Sequence, residues 1–212
     1  MRGILKRSNP FVQGNRTLIT SSLQRRTSVR KFQQQPVPEE VIQDMLEAAR
    51  LSPSGGNEQP WMFGVITDCT VIRQISKLAH GQKWIAAAPL VIVLCTVCVD
   101  DRRGGRDIQK HRYPHFSQEI SQMPQELYWA LNQEEHQTKI PGTHMVLTAL
   151  EHGLGSCWVS RFNVSGVAEL LCLPPHCIPA EFLVFGYPVF TQEPRSKKSL
   201  EEIVFRDVFK GK

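Results

Sequence analysis

Arg26, Ser28 and Arg30 alternate along the stretch RTSVR. In an extended segment alternate residues face one way, so two guanidiniums and a hydroxyl can meet one ligand. That set suits a phosphate dianion, each charged hydrogen bond contributing about 1.5–3 kcal/mol. The same run also reads as a solvated basic stretch ahead of a helix. Further along, SPSGGNEQPW (52–61) crowds two prolines, two adjacent glycines, two serines and an asparagine into ten residues. A plain turn needs only two or three such residues. The surplus points to a ligand wall. Ser54 and Asn57 offer hydrogen bonds, while Gly55 and Gly56 let backbone approach a flat molecule closely. The plain alternative is a generous loop.

Other residue sets are poorer candidates for chemistry. Cys95 and Cys98 spell C-x-x-C, but residues three apart on a strand point to opposite faces. Cys172 and Cys177 bracket LPPH with His176 beside them, and a metal there lacks a convincing fourth ligand. Cys157 has no histidine placed beside it in a nucleophile motif. A lone histidine such as His144 reads as a satisfied structural residue rather than a catalyst.

These residues need elements to position them, and the pattern supplies helix and strand in alternation. VPEEVIQDMLEAARLSP places Val41, Ile42, Met45, Leu46 and Ala49 on one helical face, with Pro38 at the start and Glu39 and Glu40 in the first turn. PWMFGVIT reads as a strand, and TVIRQISKLAHG as a helix stopped by Gly81. APLVIVLCTVCV (88–99) is apolar on both faces and reads as a buried central strand. SQEISQMPQELYWALNQEEH looks helical despite Pro124. PGTHMVLTALEHG is a helix with Gly153 past its end. LGSCWVS then reads as a strand, SGVAELL as a short helix, and AEFLVFGYP as another strand. TLITSSLQRR reads as a helix near the start.

The 212 residues, 41% hydrophobic and 21% charged, fit a globular chain able to bury one substantial core. No apolar run has membrane-spanning length. The formal charge of +5 is local: residues 1–38 carry eight Lys or Arg and no acid, leaving the remainder with 17 cations and 20 anions, a net −3. Neither nucleic acid nor membrane is therefore an expected partner. The basic start reads as a short arm (1–16), its poorly developed apolar face disfavouring a transit peptide. No signal peptide is expected, and the six cysteines are expected to be buried free thiols in a cytoplasmic protein.

Three stretches taken in order, RRTSVRKF (25–32), SPSGGNEQPWMF (52–63) and GLGSCWVS (153–160), followed by FLVFGYP and a basic tail, resemble the nitroreductase family of FMN-dependent oxidoreductases. The match runs from about Leu18 to Val204 and is weak over 101–140. The resemblance implies an α+β, nitroreductase-like fold: a mixed, mainly antiparallel central sheet flanked by helices, in an intertwined homodimer. It implies one such domain over 17–212 with a variable excursion at about 101–140. It places Arg26, Thr27, Ser28 and Arg30 against FMN, with Pro53, Ser54, Gly55 and Asn57 supplied by the other subunit. It lays the backbone of Cys157, Trp158, Val159 and Ser160 along the flavin ring, and brings Arg195 and Lys197 to the phosphate. Many relatives carry arginine at the position of Lys197, which keeps the charge and loses the fork geometry. Serine also replaces a frequent proline at Ser199.

The implied activity is ping-pong transfer of hydride from NAD(P)H, through the flavin N5, to a small planar electron-poor acceptor such as a nitroaromatic or quinone. No side chain is expected to act as an acid or base. Alternatives are a specialised member, such as a reductive dehalogenase, or a protein that stores or senses flavin without turnover. In the excursion Tyr113, His115, Phe116, Tyr128 and Trp129 are expected to stack on the acceptor.

Overall fold

In the computed structural model the described residues are 16–97, 105–131 and 135–209; Cys98 and nearly all of the basic arm fall outside them. Along the chain come α1 (Arg16–Arg25), α2 (Glu39–Arg50), β1 (Trp61–Ile66), α3 (Cys69–Leu78), β2 (Leu90–Val97), α4 (Gly105–Arg112) and α5 (Ser117–Gln122). They continue with α6 (Gln125–Leu131), α7 (Glu135–Glu151), β3 (Gly155–Val159), α8 (Val164–Leu170), β4 (Cys177–Gly186) and α9 (Leu200–Ile203). Residues 28–191 form one compact unit; α1 with its flank to Thr27 and the tail from Gln192 form another.

The larger unit is built on an antiparallel sheet of strand order β1-β2-β4-β3. The parallel component of the expected mixed sheet is a single bridge, Ser28 to Ser156, at the outer edge of β3. The strand β2 is buried along nearly its whole length because both faces are covered. Val91, Val93 and Cys95, with Phe182 and Val184 of β4, pack against Ile72 and Ile75 of α3 and Val167 of α8. Leu90, Ile92 and Leu94, with Leu183 and Phe185, pack against α2 and α7. A register shift at Leu94/Cys95 interrupts the β2–β4 ladder.

Helix α2 starts where the sequence places it. Pro38 caps it in extended backbone, Glu39 and Glu40 occupy the first turn, and Arg50 the last. Its buried face is Val41, Ile42, Met45 and Ala49, and each side chain of Ile or Met size contributes about 1.5–3 kcal/mol. Helix α3 is capped by Asp68, whose carboxylate accepts the Thr70 and Val71 N–H groups at 2.7 and 3.0 Å. Those bonds, the one from Val71 foremost, hold its pKa below the usual carboxylate value.

Two helix expectations are corrected. Over 117–131 the expected single helix is two, α5 and α6, because Met123 ahead of Pro124 is pushed to extended backbone (ψ 130°). Helix α7 begins at Glu135, not Pro141, which lies inside it. The added turns are fastened to the sheet: Thr138 meets Thr96 at 3.3 Å, and the Lys139 ammonium lies 3.1 Å from the buried carboxylate of Glu181. At Gly142 a Cβ would stand 2.6 Å from both Leu94 and Trp158, so only glycine allows α7 this close to the sheet.

The excursion is organised around Arg106. Its guanidinium donates to the Ile120 carbonyl (2.7 Å) and to Gln125 (2.9 Å), and lies 4.5 Å from the Tyr128 ring centre. Tyr128 is thus buried under a guanidinium, contrary to the expected stacking role, whereas Tyr113, His115 and Phe116 are exposed. The Trp129 side chain lies outside the described residues. In the smaller unit, Ser199 and Glu202 form a reciprocal cap on α9, and Phe205 meets Phe209 edge-on at 5.8 Å. Among the described residues no helix is long and apolar enough to cross a membrane.

Candidate functional site

The segment carrying Ser28 and Arg30 is seated on the edge of β3. Val29 donates its N–H to the Ser156 carbonyl at 2.9 Å, and Val29 and Phe32 bury their side chains in the cluster on the α3 side of the sheet. Further bonds run from Gln33 N–H to the Tyr187 carbonyl (2.8 Å) and from Val189 N–H to the Lys31 carbonyl (3.1 Å). Gly155 makes the seat possible, since a Cβ there would lie 2.6–3.0 Å from the Val29 side chain. Alternation then turns Ser28 and Arg30 away from the buried Val29. Arg30 is exposed, its guanidinium 5.7 Å from the ring centre of Trp84. Trp84, which sequence reasoning passed over, itself packs against Phe32 at 6.5 Å.

The structure therefore brings together two stretches that lie some 130 positions apart, RTSVR and GSCWV. In a strand the N–H and C=O of one residue point to the same edge. Ser156 spends its carbonyl on Val29, so Trp158, two residues on, presents its peptide groups to that same outer edge. The Cys157 and Val159 side chains are buried, Trp158 is half-buried, and Ser160 is exposed. Cys157 thus serves packing. Burial likewise pushes the Cys95 and Cys177 thiols above their ordinary pKa, which removes them as nucleophiles.

The glycine loop sits on other supports. Gly55 and Asn57 bound a short 3-10 turn whose Gly56 is left-handed (φ 56°), followed by left-handed Asn57 (φ 60°) and Gln59 (φ 53°). Within it Gln59 N–H donates to Ser54 Oγ at 2.9 Å, and Asn57 N–H to the Ser54 carbonyl at 3.1 Å. Buried Pro60 anchors the far end, its carbonyl accepting Val97 N–H at the end of β2 (3.0 Å). Two contacts tie the loop to α7. Gly55 N–H donates to Gln137 Oε1 at 3.0 Å, and Ser52 Oγ lies 2.7 Å from His144 Nδ1. His144 is thus a satisfied residue as expected, though with a partner 92 positions away. No local motif marks Gln137. Pro53, Gly55 and Asn57 are exposed and Ser54 half-buried.

Arg26, Thr27, Arg195 and Lys197 belong to the smaller unit. Arg26 continues α1 by donating its N–H to the Ser22 carbonyl (3.0 Å), and Arg26 and Thr27 are half-buried. Arg195 and Lys197 are exposed in the stretch ahead of α9.

Comparison with known proteins gives the same outline. A model of the nitroreductase family matches residues 23–189. The NADH dehydrogenase of Thermus thermophilus is 31% identical over 196 residues, spanning 87% of this chain and 93% of that protein. The FMN reductase (NAD(P)H) of Bacillus subtilis is 29% identical over 173 residues, 80% of this chain and 66% of that one. A solved nitroreductase family protein from Clostridium difficile matches with a TM-score of 0.68 at 28% identity, over 89% of this chain and 98% of that chain.

Proposed function

Because the chain belongs to the nitroreductase family, we propose that it is an FMN-dependent, NAD(P)H-using oxidoreductase whose acceptor is a small planar, electron-poor molecule. The observation that carries this reading is the Ser28–Ser156 bridge, which sets the exposed Arg30 guanidinium and the half-buried Ser28 beside the outer edge of β3. A mononucleotide with a flat, polar-edged ring asks for that combination: charge for its phosphate, peptide groups for its ring. The donor set here fits FMN. The chemistry the cofactor supplies when bound is hydride uptake from NAD(P)H and then reduction of a nitroaromatic or quinone, in ping-pong order.

The chain's own residues hold and orient. Ser28 and Arg30 would hold the phosphate and ribityl side, the guanidinium through charge-assisted bonds. The outer peptide edge of β3 at Trp158 would lie along the ring, where a main-chain N–H would fix orientation and polarise without moving. Gly55 adds a wall with room to spare, since a Cβ there would meet nothing nearer than 3.8 Å. That loop serves the site of a second copy in a homodimer. Cys95 and Cys177 are buried free thiols as expected, whereas Cys69 and Cys172 are free but exposed, and such thiols suit a reducing cytoplasm.

The test is a visible spectrum of the purified protein, followed by anaerobic addition of NADH or NADPH. A flavin spectrum that bleaches with either, and recovers on adding menadione or a nitrofuran, is the expected result. A colourless protein that takes up no added FMN would overturn the reading. So would a yellow one that neither nucleotide bleaches.

A further inference from the structure

Helix α7 fastens the glycine loop at two points. Gln137 and His144 stand seven residues apart, close to two helical turns, so both side chains rise from one stripe of α7. Gln137 accepts the Gly55 N–H, and His144 reaches Ser52, the last residue before the loop. Ser52 is only 4% exposed, and the bond from its hydroxyl to the Ala48 carbonyl is the longer of the two, at 3.4 Å. Beyond Ser52 the chain holds two non-glycine residues, Asn57 and Gln59, in left-handed backbone. L-residues adopt that backbone at a cost, glutamine more than asparagine, and keep it only where surroundings over-determine it. Bonds to Ser54 within the loop and the Pro60 anchor on β2 hold part of that shape, and α7 holds its start.

We propose that His144 is a positioning residue that acts through Ser52 to set the cofactor-binding loop. The bond tolerates either state of the imidazole. With Nδ1 bare, the Ser52 hydroxyl donates to it. With Nδ1 protonated, Ser52 Oγ accepts and turns its own proton toward the Ala48 carbonyl. The hydroxyl is the swivel, and the latch stays shut whichever tautomer is present. An asparagine side chain offers the same choice of acceptor and donor at nearly the same reach; an alanine offers neither.

The link from loop to flavin rests on the function proposed above, so the test separates the two. Amide hydrogen exchange is measured on the flavin-free full chain for wild type, His144→Ala, His144→Asn, Ser52→Ala and the Ser52→Ala/His144→Ala pair. His144→Ala and Ser52→Ala are each expected to speed exchange at the Gly55, Asn57, Glu58 and Gln59 amides about five- to tenfold, the size one net hydrogen bond carries. His144→Asn is expected to stay within about threefold of wild type, and the double variant to be no faster than the faster single one. The β2 amides should not change. Unchanged loop exchange in both single variants overturns the proposal, and so does a uniform rise that includes β2, which would mean global destabilisation. Should His144→Ala fold poorly, Ser52→Ala carries the same test alone. FMN titration is then run on the same set. Affinity that falls in step with loop exchange supports the cofactor link; faster exchange with unaltered affinity leaves the latch standing and refutes the loop's place in the site.

Discussion

Replacing Arg30 with alanine separates a ligand role from a structural one. The backbone around Arg30 is held by other groups: Val29 and Phe32 are each 6% exposed, and the main-chain bonds of Val29, Lys31 and Gln33 run to Ser156, Val189 and Tyr187. None of these uses the guanidinium. What the fold loses is a cation over the Trp84 ring at 5.7 Å, an exposed contact worth about 0.5–1 kcal/mol. For a chain of this size that is a fall in apoprotein Tm of roughly 2–4 °C at most. What a bound phosphate or ring edge loses is a charge-assisted hydrogen bond, about 1.5–3 kcal/mol, or roughly 10- to 150-fold in Kd. The assay is quenching of FMN fluorescence on titration with apoprotein, beside thermal melting of the same sample. Arg30→Lys should fall between, since it keeps charge without the planar fork. A Kd within about threefold of wild type, or a Tm loss as large in energy as the affinity loss, would refute the assignment.

Gly55→Val should leave the apoprotein's melting unchanged, because a Cβ at Gly55 meets only Gln137 at 3.8 Å, yet should abolish flavin uptake; mixed dimers of a Gly55→Val chain with an Arg30→Ala chain should regain one site in two, and none regained would place both motifs in one subunit's site. Gly155→Ala should lower FMN affinity without touching the ligand, by driving the Val29 segment off β3, with an overpacking cost of about 1–3 kcal/mol; wild-type affinity in this variant would show that the seat on β3 does not set Arg30. Deleting 199–212 removes Leu200, Ile203, Val204, Phe205, Val208 and Phe209, all 54–70% exposed in the single chain, and should shift sedimentation from dimer to monomer. An unaltered dimer would show that the tail lies outside the interface.

Most of the frame was legible because burial writes itself into periodicity. The Val41–Ile42–Met45–Ala49 stripe and the two-faced apolar run of β2 are where the pattern puts them. The misses have physical reasons. Pro141 looks like a first-turn proline, and nothing nearby shows that Thr138 and Lys139 continue the helix by pairing with Thr96 and Glu181, 42 positions off in either direction. Met123 could have been read as a break from the proline after it, and Ser199 with Glu202 as a cap on α9. The Tyr128 ring was misjudged because its cover, Arg106, comes from another helix. In the site, residue types were readable and their supports were not. Gln137 and Trp84 belong to no motif, and the His144–Ser52 bond spans 92 positions.

The sheet itself bears on how many chains make one site. Val29 and Phe32, which carry Ser28 and Arg30, are buried in the cluster on the α3 and α8 side. The glycine loop hangs from α2 and α7, whose side chains form the cluster on the opposite face. Each motif is pinned to its own side by several bonds. In the homodimer proposed above, an isologous contact would bring the loop of each copy to the Arg30 segment of the other and make both sites at once. The exposed apolar tail gives such a pair surface to bury. That the two motifs hang from opposite faces of the sheet is why the mixed-dimer experiment expects them to serve one site in trans.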